Sequence, residues 1–126
     1  MIAPVALWMA RPPTRTEYER LLTQALKTCA SARLIRREQL DLSASGQAFL
    51  DGLGPLLLGD RRVQSWPGTQ LQGNQWAIEY RLAYTDFTRD LLLAGANSLF
   101  DWVQPDWPED LCLVARDCSN WLVMST

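Results

Sequence analysis

Residues 75–84 alternate apolar and polar side chains more regularly than any other part of the chain. The even positions all carry large apolar or aromatic groups: Trp76, Ile78, Tyr80, Leu82 and Tyr84. The odd positions, among them Glu79 and Arg81, are small or charged. A period of two is typical of a β-strand with one buried face, whereas a helix would scatter the charges among the aromatic rings. We therefore predict a central antiparallel strand here.

A first helix is predicted to follow the segment Thr-Arg-Thr-Glu at 14–17, which has the spacing of a capping box. Apolar side chains recur every three or four residues from Tyr18 onward, so the helix is predicted to continue to about Ala32. The charge run in 33–42 interrupts this pattern and predicts an irregular link.

Two shorter helices are predicted further along the chain. Ser43 or Ser45 is placed to cap the first of them. Gly52, Gly54 and Pro55 are expected to end it. Thr85 or Asp86 is placed to cap the second, which runs through Val103 with a possible break at the low-propensity positions 95–97.

Further strands are predicted at 2–9, 56–59, 61–66, 111–115 and 120–124, although 2–9 could instead be a structureless tail. A Gly-Asp turn is expected at 59–60. The strand at 61–66 is expected to pair with 75–84 across a long loop, and the last two strands form a closing hairpin. The prediction is a single α+β domain: an antiparallel sheet of about four to six strands with two or three helices packed on one face.

Histidine is absent from the chain, and this excludes Ser-His-Asp and Cys-His catalysis and histidine-ligated metals. The three cysteines include no Cys-x-x-Cys pair, so neither a disulfide framework nor a zinc knuckle is expected. Cys118, beside Arg116, has no base to assist it as a nucleophile. We expect no catalytic residues, no cofactor and no metal, and a reducing, cytoplasmic setting. Residues 1–10 lack a positive segment and are too short to span a bilayer, so neither a secretory signal nor an anchor is expected.

Charge is divided unevenly along the chain. Residues 1–62 carry nine basic against six acidic side chains, and residues 63–126 carry three against eight. The second half should therefore present an acidic surface, the opposite of what nucleic-acid binding requires. A protein partner is expected, and neither nucleic acid nor a membrane.

The candidate site is the loop 106–110, in which acids surround an aromatic side chain. Its predicted partner-binding residues are Trp107, Asp101, Asp106, Glu109 and Asp110. Such a rim would suit a partner with a basic active site, because charge speeds encounter and the aromatic group supplies affinity. The structural alternative is that Trp107 packs over the sheet edge and the acids only solvate the loop. Trp66, in the loop 66–69, is a second partner-binding candidate, and its alternative is a packed residue beside a proline-glycine turn.

Two segments, Ser-Trp-Pro-Gly-Thr at 65–69 and Pro-Glu-Asp-Leu at 108–111, resemble a group of small uncharacterised bacterial proteins with tryptophan-rich C-terminal halves. The resemblance implies no activity. By analogy of size and charge, small acidic domains include immunity proteins that bind and block a toxin. We expect a non-enzymatic protein-interaction protein of this immunity-like kind. A small-ligand-binding module with an aromatic pocket near Trp66 and Trp102 is the alternative, and an enzyme is the third possibility.

Overall fold

A five-stranded antiparallel sheet is the centre of the fold in the computed structural model, which describes residues 13–116 and 121–124. In chain order its strands are β1 (Cys29–Arg37), β2 (Leu57–Val63), β5 (Ala77–Ala83), β6 (Glu109–Ala115) and β7 (Trp121–Met124). They lie side by side in the order β2-β5-β1-β6-β7. Two short strands, β3 (Ser65–Trp66) and β4 (Thr69–Gln70), form a separate hairpin. The predicted α+β class is confirmed.

Three α-helices are found among the described residues: α1 (Arg15–Ala25), α2 (Ala44–Asp51) and α3 (Asp86–Gly95). Their first turns begin at Thr14, Ser43 and Thr85, whose side chains each accept a hydrogen bond from the backbone N–H three residues on. Such caps satisfy N–H groups that have no partner inside the helix, which is why these hydroxyl residues start the helices as predicted. Two 3-10 turns, Gly54–Leu56 and Leu99–Asp101, follow α2 and α3.

The helices pack on one face of the sheet and enclose the main hydrophobic core with it. Buried members include Tyr18 and Leu22 of α1, Leu50 of α2, Leu92 of α3, and Leu34, Leu82 and Leu113 of the sheet. Tyrosine hydroxyls inside this core donate hydrogen bonds to helix carbonyls: Tyr84 Oη to Leu22 O at 2.6 Å and Tyr18 Oη to Leu92 O at 3.2 Å. Burial raises the pKa of Tyr18 to about 12, so these hydroxyls stay protonated and keep donating.

The predicted first helix extends too far. It ends at Ala25, and Cys29–Arg37 forms β1 in place of the predicted helix to Ala32 and irregular link. The buried residues Cys29, Ala32 and Leu34 are three and two positions apart. This spacing does not distinguish a helix from an irregular strand. β5 and β6 decide the outcome because they pair with β1 on its two sides. Both begin at least 40 positions after the end of β1.

The strand predicted at 75–84 is β5, an internal strand between β2 and β1. Tyr80, Leu82 and the adjoining Tyr84 contribute to the helix-side core as expected, whereas the Trp76 ring lies against Arg62. The opposite face is not simply solvated, because Ala77 and Glu79 are also buried there. The hairpin of β2 with β5 is confirmed, with Arg61 opposite Glu79. The turn predicted at 59–60 is wrong, since both residues lie inside β2.

The third helix ends at Gly95, so the break at 95–97 is the alternative that the structure confirms. The closing hairpin is also confirmed, since β6 and β7 pair in antiparallel fashion. The strand predicted at 2–9 and the residue Cys118 lie outside the described residues. In the described part of the chain, no helix has the length and apolar character needed to cross a membrane.

Candidate functional site

The loop that follows α3 rests on a cluster of three aromatic rings. Trp102 is buried, donates from its indole Nε1 to Tyr18 Oη at 3.1 Å, and has its ring centroid 5.3 Å from that of Phe49. Trp107 meets both rings edge-on, with centroids 5.5 Å from Phe49 and 5.7 Å from Trp102. These tilted contacts are favourable aromatic geometries. The side chain predicted as the partner-binding anchor therefore packs mainly against the protein itself.

Gln104 and Pro105 attach the same loop to the rest of the fold. The side-chain amide of buried Gln104 donates to the carbonyls of Arg37, Leu40 and Asp41, each at 3.2 Å, and accepts from Arg37 N–H at 2.6 Å. The carbonyl of Pro105 accepts from Ser43 N–H at 2.8 Å. The loop is thus held to the turn after β1 and to the start of α2.

Several side chains of this region project into solvent. The exposed fractions of the apolar residues are 39% for Phe100, 49% for Val103 and 44% for Leu40. Asp101 and Asp106 are also exposed. We call these five residues the 100–106 surface, with Leu40 included because its carbonyl bonds to Gln104. Three exposed apolar side chains and two exposed carboxylates thus belong to the anchored loop or to the turn that Gln104 binds.

Glu109 and Asp110 do not belong to an exposed acidic rim, contrary to the sequence-based expectation. Both are buried at the start of β6. Glu109 Oε2 lies 2.9 Å from Arg37 Nε, and Asp110 Oδ2 accepts the indole N–H of Trp66 at 2.7 Å. Arg37 Nη2 is 3.9 Å from that same Asp110 oxygen, and its guanidinium lies over the Trp66 ring at 5.2 Å from the centroid. The partners of these acids are internal.

Burial changes the acidity of this pair. Desolvation raises the pKa of Glu109, against the opposing effect of Arg37. Desolvation also raises the pKa of Asp110, and the hydrogen bond from Trp66 and the charge of Arg37 oppose it. A buried carboxylate is kept ionised only by such partners. The arrangement fixes the start of β6 against the β3–β4 hairpin, with Asp110 hydrogen-bonded to Trp66 and Glu109 in an ion-pair contact with Arg37.

The other predicted site residues are placed apart. Trp66 packs with Ile35, Leu71 and Ala77, while Trp102 belongs to the helix-side core. The structure therefore does not bring Trp66 and Trp102 together in one aromatic pocket. Asp101 is exposed, and its Oδ2 accepts from Ser98 N–H at 3.1 Å, which caps the 3-10 turn.

The sequence-based interpretation missed Phe100, Val103 and Leu40. The third predicted helix runs through Val103 unless it breaks at 95–97. The break after Gly95 removes that helix and leaves the side chain in solvent. Gly95 is the sequence feature that indicates this break, because glycine has a low helix propensity. No local pattern indicated Gln104 or Arg37, whose partners are distant in sequence.

Metal and thiol chemistry have little basis in the described residues. Between 13 and 116 and in 121–124, no group of three or more Cys, Asp or Glu side chains has the arrangement of a metal site. Cys29 and Cys112 are buried free thiols. Burial raises the pKa of both, that of Cys112 to about 12, so the nucleophilic thiolate is disfavoured.

Comparison of the chain with protein-family models, with curated proteins and with solved structures finds no match. The resemblance to small tryptophan-rich bacterial proteins stays a prediction.

Proposed function

We propose that this chain is a non-enzymatic protein-binding domain and that it contacts its partner through the 100–106 surface. The observation that carries the proposal is the exposure of Phe100, Val103 and Leu40 beside the carboxylates of Asp101 and Asp106. Protein interfaces obtain most of their affinity from a few apolar or aromatic side chains that are desolvated on binding. The neighbouring acids would speed encounter with a positively charged partner.

The anchoring of the loop supports this role. Gln104 bonds to three carbonyls of the turn after β1, and Trp102 and Trp107 fill the space beneath the loop. A loop that is ordered before binding loses less conformational entropy when the partner arrives. In this proposal Trp107 supports the surface from below, and Glu109 and Asp110 hold β6 in place.

The proposed partner is a protein with a basic surface, and a bacterial toxin or effector blocked by binding is the form we favour. The acidic excess of residues 63–126 is complementary to such a partner. A reducing cytoplasm is the proposed setting, in keeping with the free thiols of Cys29 and Cys112.

A pull-down from the bacterial host at physiological salt, followed by calorimetry with the purified partner, tests the proposal. Phe100→Ser and Val103→Ser remove exposed apolar groups from the 100–106 surface. Phe87→Ser is the matched control because Phe87, on α3, is 64% exposed and lies outside that surface. We expect the partner to be lost with the first two variants and kept with the third.

Asp101→Asn and Asp106→Asn should slow association and reduce its dependence on salt, while dissociation changes less. The proposal is wrong if the wild-type chain captures no protein, or if the Phe100 and Val103 variants bind the same partner as tightly as the wild type.

A further inference from the structure

Two arginines flank a buried glutamate on the face of the sheet opposite the helices. Glu79 of β5 is only 2% exposed. Its Oε1 lies 3.0 Å from Arg61 Nε of β2, and its Oε2 lies 3.6 Å from Arg33 Nη1 of β1. One carboxylate is thus shared by two guanidinium groups on the two neighbouring strands.

A third arginine and a glycine complete an open cavity at this place. The cavity has a volume of about 220 Å³ and is lined by Arg33, Gly59, Asp60, Arg61, Glu79 and Arg81. Gly59 is opposite Arg81 in the register of β2 with β5, and a Cβ built on Gly59 would lie 3.6 Å from Arg81 Nη2. The missing side chain of Gly59 leaves this space open beside the Arg81 guanidinium.

Positive charge exceeds negative charge on this face. Asp60 is opposite Tyr80, whose ring packs on the helix-side core. The Cβ of Asp60 is therefore on the helix side of the sheet, opposite the face that carries Glu79. The cavity lining thus holds three guanidinium groups against two carboxylates, of which Glu79 lies between Arg33 and Arg61. Arg81 forms no ion pair with any residue of 13–116.

One hydrogen-bond donor in this cluster also lacks an acceptor. The Nε atom of Arg33 is buried and has no hydrogen-bond partner among the described residues. Leaving a buried charged donor unpaired is costly, but an atom out of reach of solvent is also out of reach of an anion in the open cavity. The excess of positive charge around the cavity is therefore the feature that points to an anionic ligand.

We infer that this cavity binds a small oxyanion, either a phosphate group or a short dicarboxylate. Guanidinium groups recognise carboxylate and phosphate oxygens through paired N–H donors. Pockets for drug-sized ligands occupy about 300–1,000 Å³, so a cavity of about 220 Å³ suits an anion smaller than a nucleotide. The inference uses no residue of the 100–106 surface and stands apart from the proposed function.

Calorimetric titration of the full chain with inorganic phosphate, and separately with malonate, at constant ionic strength tests the site. Arg81→Gln removes one guanidinium without breaking a Glu79 ion pair. Gly59→Val fills the cavity at a strand position whose built Cβ meets only Arg81 Nη2, at ordinary contact distance. Arg20→Gln removes the same charge from an exposed position on α1 and is the matched control.

We expect saturable one-to-one binding of at least one anion, weakened about tenfold or more by Arg81→Gln and by Gly59→Val and unchanged by Arg20→Gln. Preference for phosphate or for malonate then distinguishes the two ligand types. Urea unfolding of each variant confirms that the fold is retained. The inference is overturned if the wild type binds neither anion, or if Arg20→Gln weakens binding as much as Arg81→Gln does.

Discussion

The indole N–H of Trp66 donates to Oδ2 of Asp110 at 2.7 Å, and this hydrogen bond joins two segments 44 residues apart. Trp66 belongs to the β3–β4 hairpin and Asp110 to the start of β6. Both side chains are buried, and the Arg37 guanidinium contacts both of them. Two motifs that the sequence analysis treated as separate candidate loops are therefore parts of one internal network.

Replacing the indole of Trp66 tests how much this hydrogen bond contributes to stability. Trp66→Phe keeps an aromatic ring but leaves the buried Asp110 carboxylate without its donor, so we expect the free energy of unfolding to fall by about 1–3 kcal/mol. Trp76→Phe is the control, because the Trp76 ring is only partly buried and Phe preserves a ring face for Arg62, which lies 4.5 Å above it. Urea unfolding measures both, and equal losses would contradict the role assigned to the hydrogen bond.

The buried acids predict a pH dependence of stability. The pKa of Glu109 is raised in the folded state, so the unfolded chain releases this proton near the ordinary value of 4.5 while the folded chain still holds it. The stability contributed by Glu109 should therefore fall as pH rises above that value. Urea unfolding of wild type and Glu109→Gln between about pH 4 and pH 7 should show the wild type losing stability relative to the variant.

Glu38 offers a control of opposite sign. Its hydrogen bond from Arg62 lowers the pKa of its carboxyl group, so its contribution is present above the ordinary value and lost as pH falls through the lowered one. Wild type should therefore gain stability relative to Glu38→Gln as pH rises. The same direction of change for both variants would contradict the assignment.

The two tryptophans of the aromatic cluster should differ in their effect on stability. Trp102 is buried on all sides and bonded to Tyr18, so Trp102→Ala should cost about 3–5 kcal/mol. Trp107 is partly exposed and makes two edge contacts, so Trp107→Ala should cost about 1–3 kcal/mol and leave a folded protein. Urea unfolding followed by circular dichroism measures the free energy of unfolding of both variants. Equal losses in the two variants would contradict this prediction.

Gly46 should resist a change that normally stabilises helices. Alanine in place of an interior helical glycine usually gains about 0.5–1 kcal/mol. A Cβ at Gly46 would lie 2.7 Å from Pro105 O and 2.7 Å from Leu42 Cδ1, so Gly46→Ala should instead cost about 1–3 kcal/mol. Gly52→Ala is the control, because Gly52 is at the exposed C-terminal end of α2 and its nearest atoms are backbone oxygens at 3.4 and 3.6 Å, so this change should cost much less. Thermal unfolding tests both, and a gain at Gly46 would show that the loop at Pro105 moves freely.

Local sequence determined the parts of the fold that depend on neighbouring residues. Helix starts at Thr14, Ser43 and Thr85 follow from side chains that cap the next backbone N–H groups. β5 follows from alternation, because successive side chains of a strand point to opposite faces.

Tertiary structure determined that Cys29–Arg37 forms a strand and which partners its charged residues have. Arg33 and Arg37 made 33–42 resemble a solvated link, yet each lies in a sheet because Glu79 and Glu109 on neighbouring strands supply partners. Those partners are 46 and 72 positions away, so no local pattern shows them.

The candidate site divides in the same way. The sequence placed an aromatic and acidic region at 101–110, and Asp101 and Asp106 do face solvent. Only the fold decided that Glu109 and Asp110 turn inward to Arg37 while Phe100 and Val103 remain outside. Residue type sets the cost of burying a side chain, and the distant groups that meet it determine whether that cost is offset.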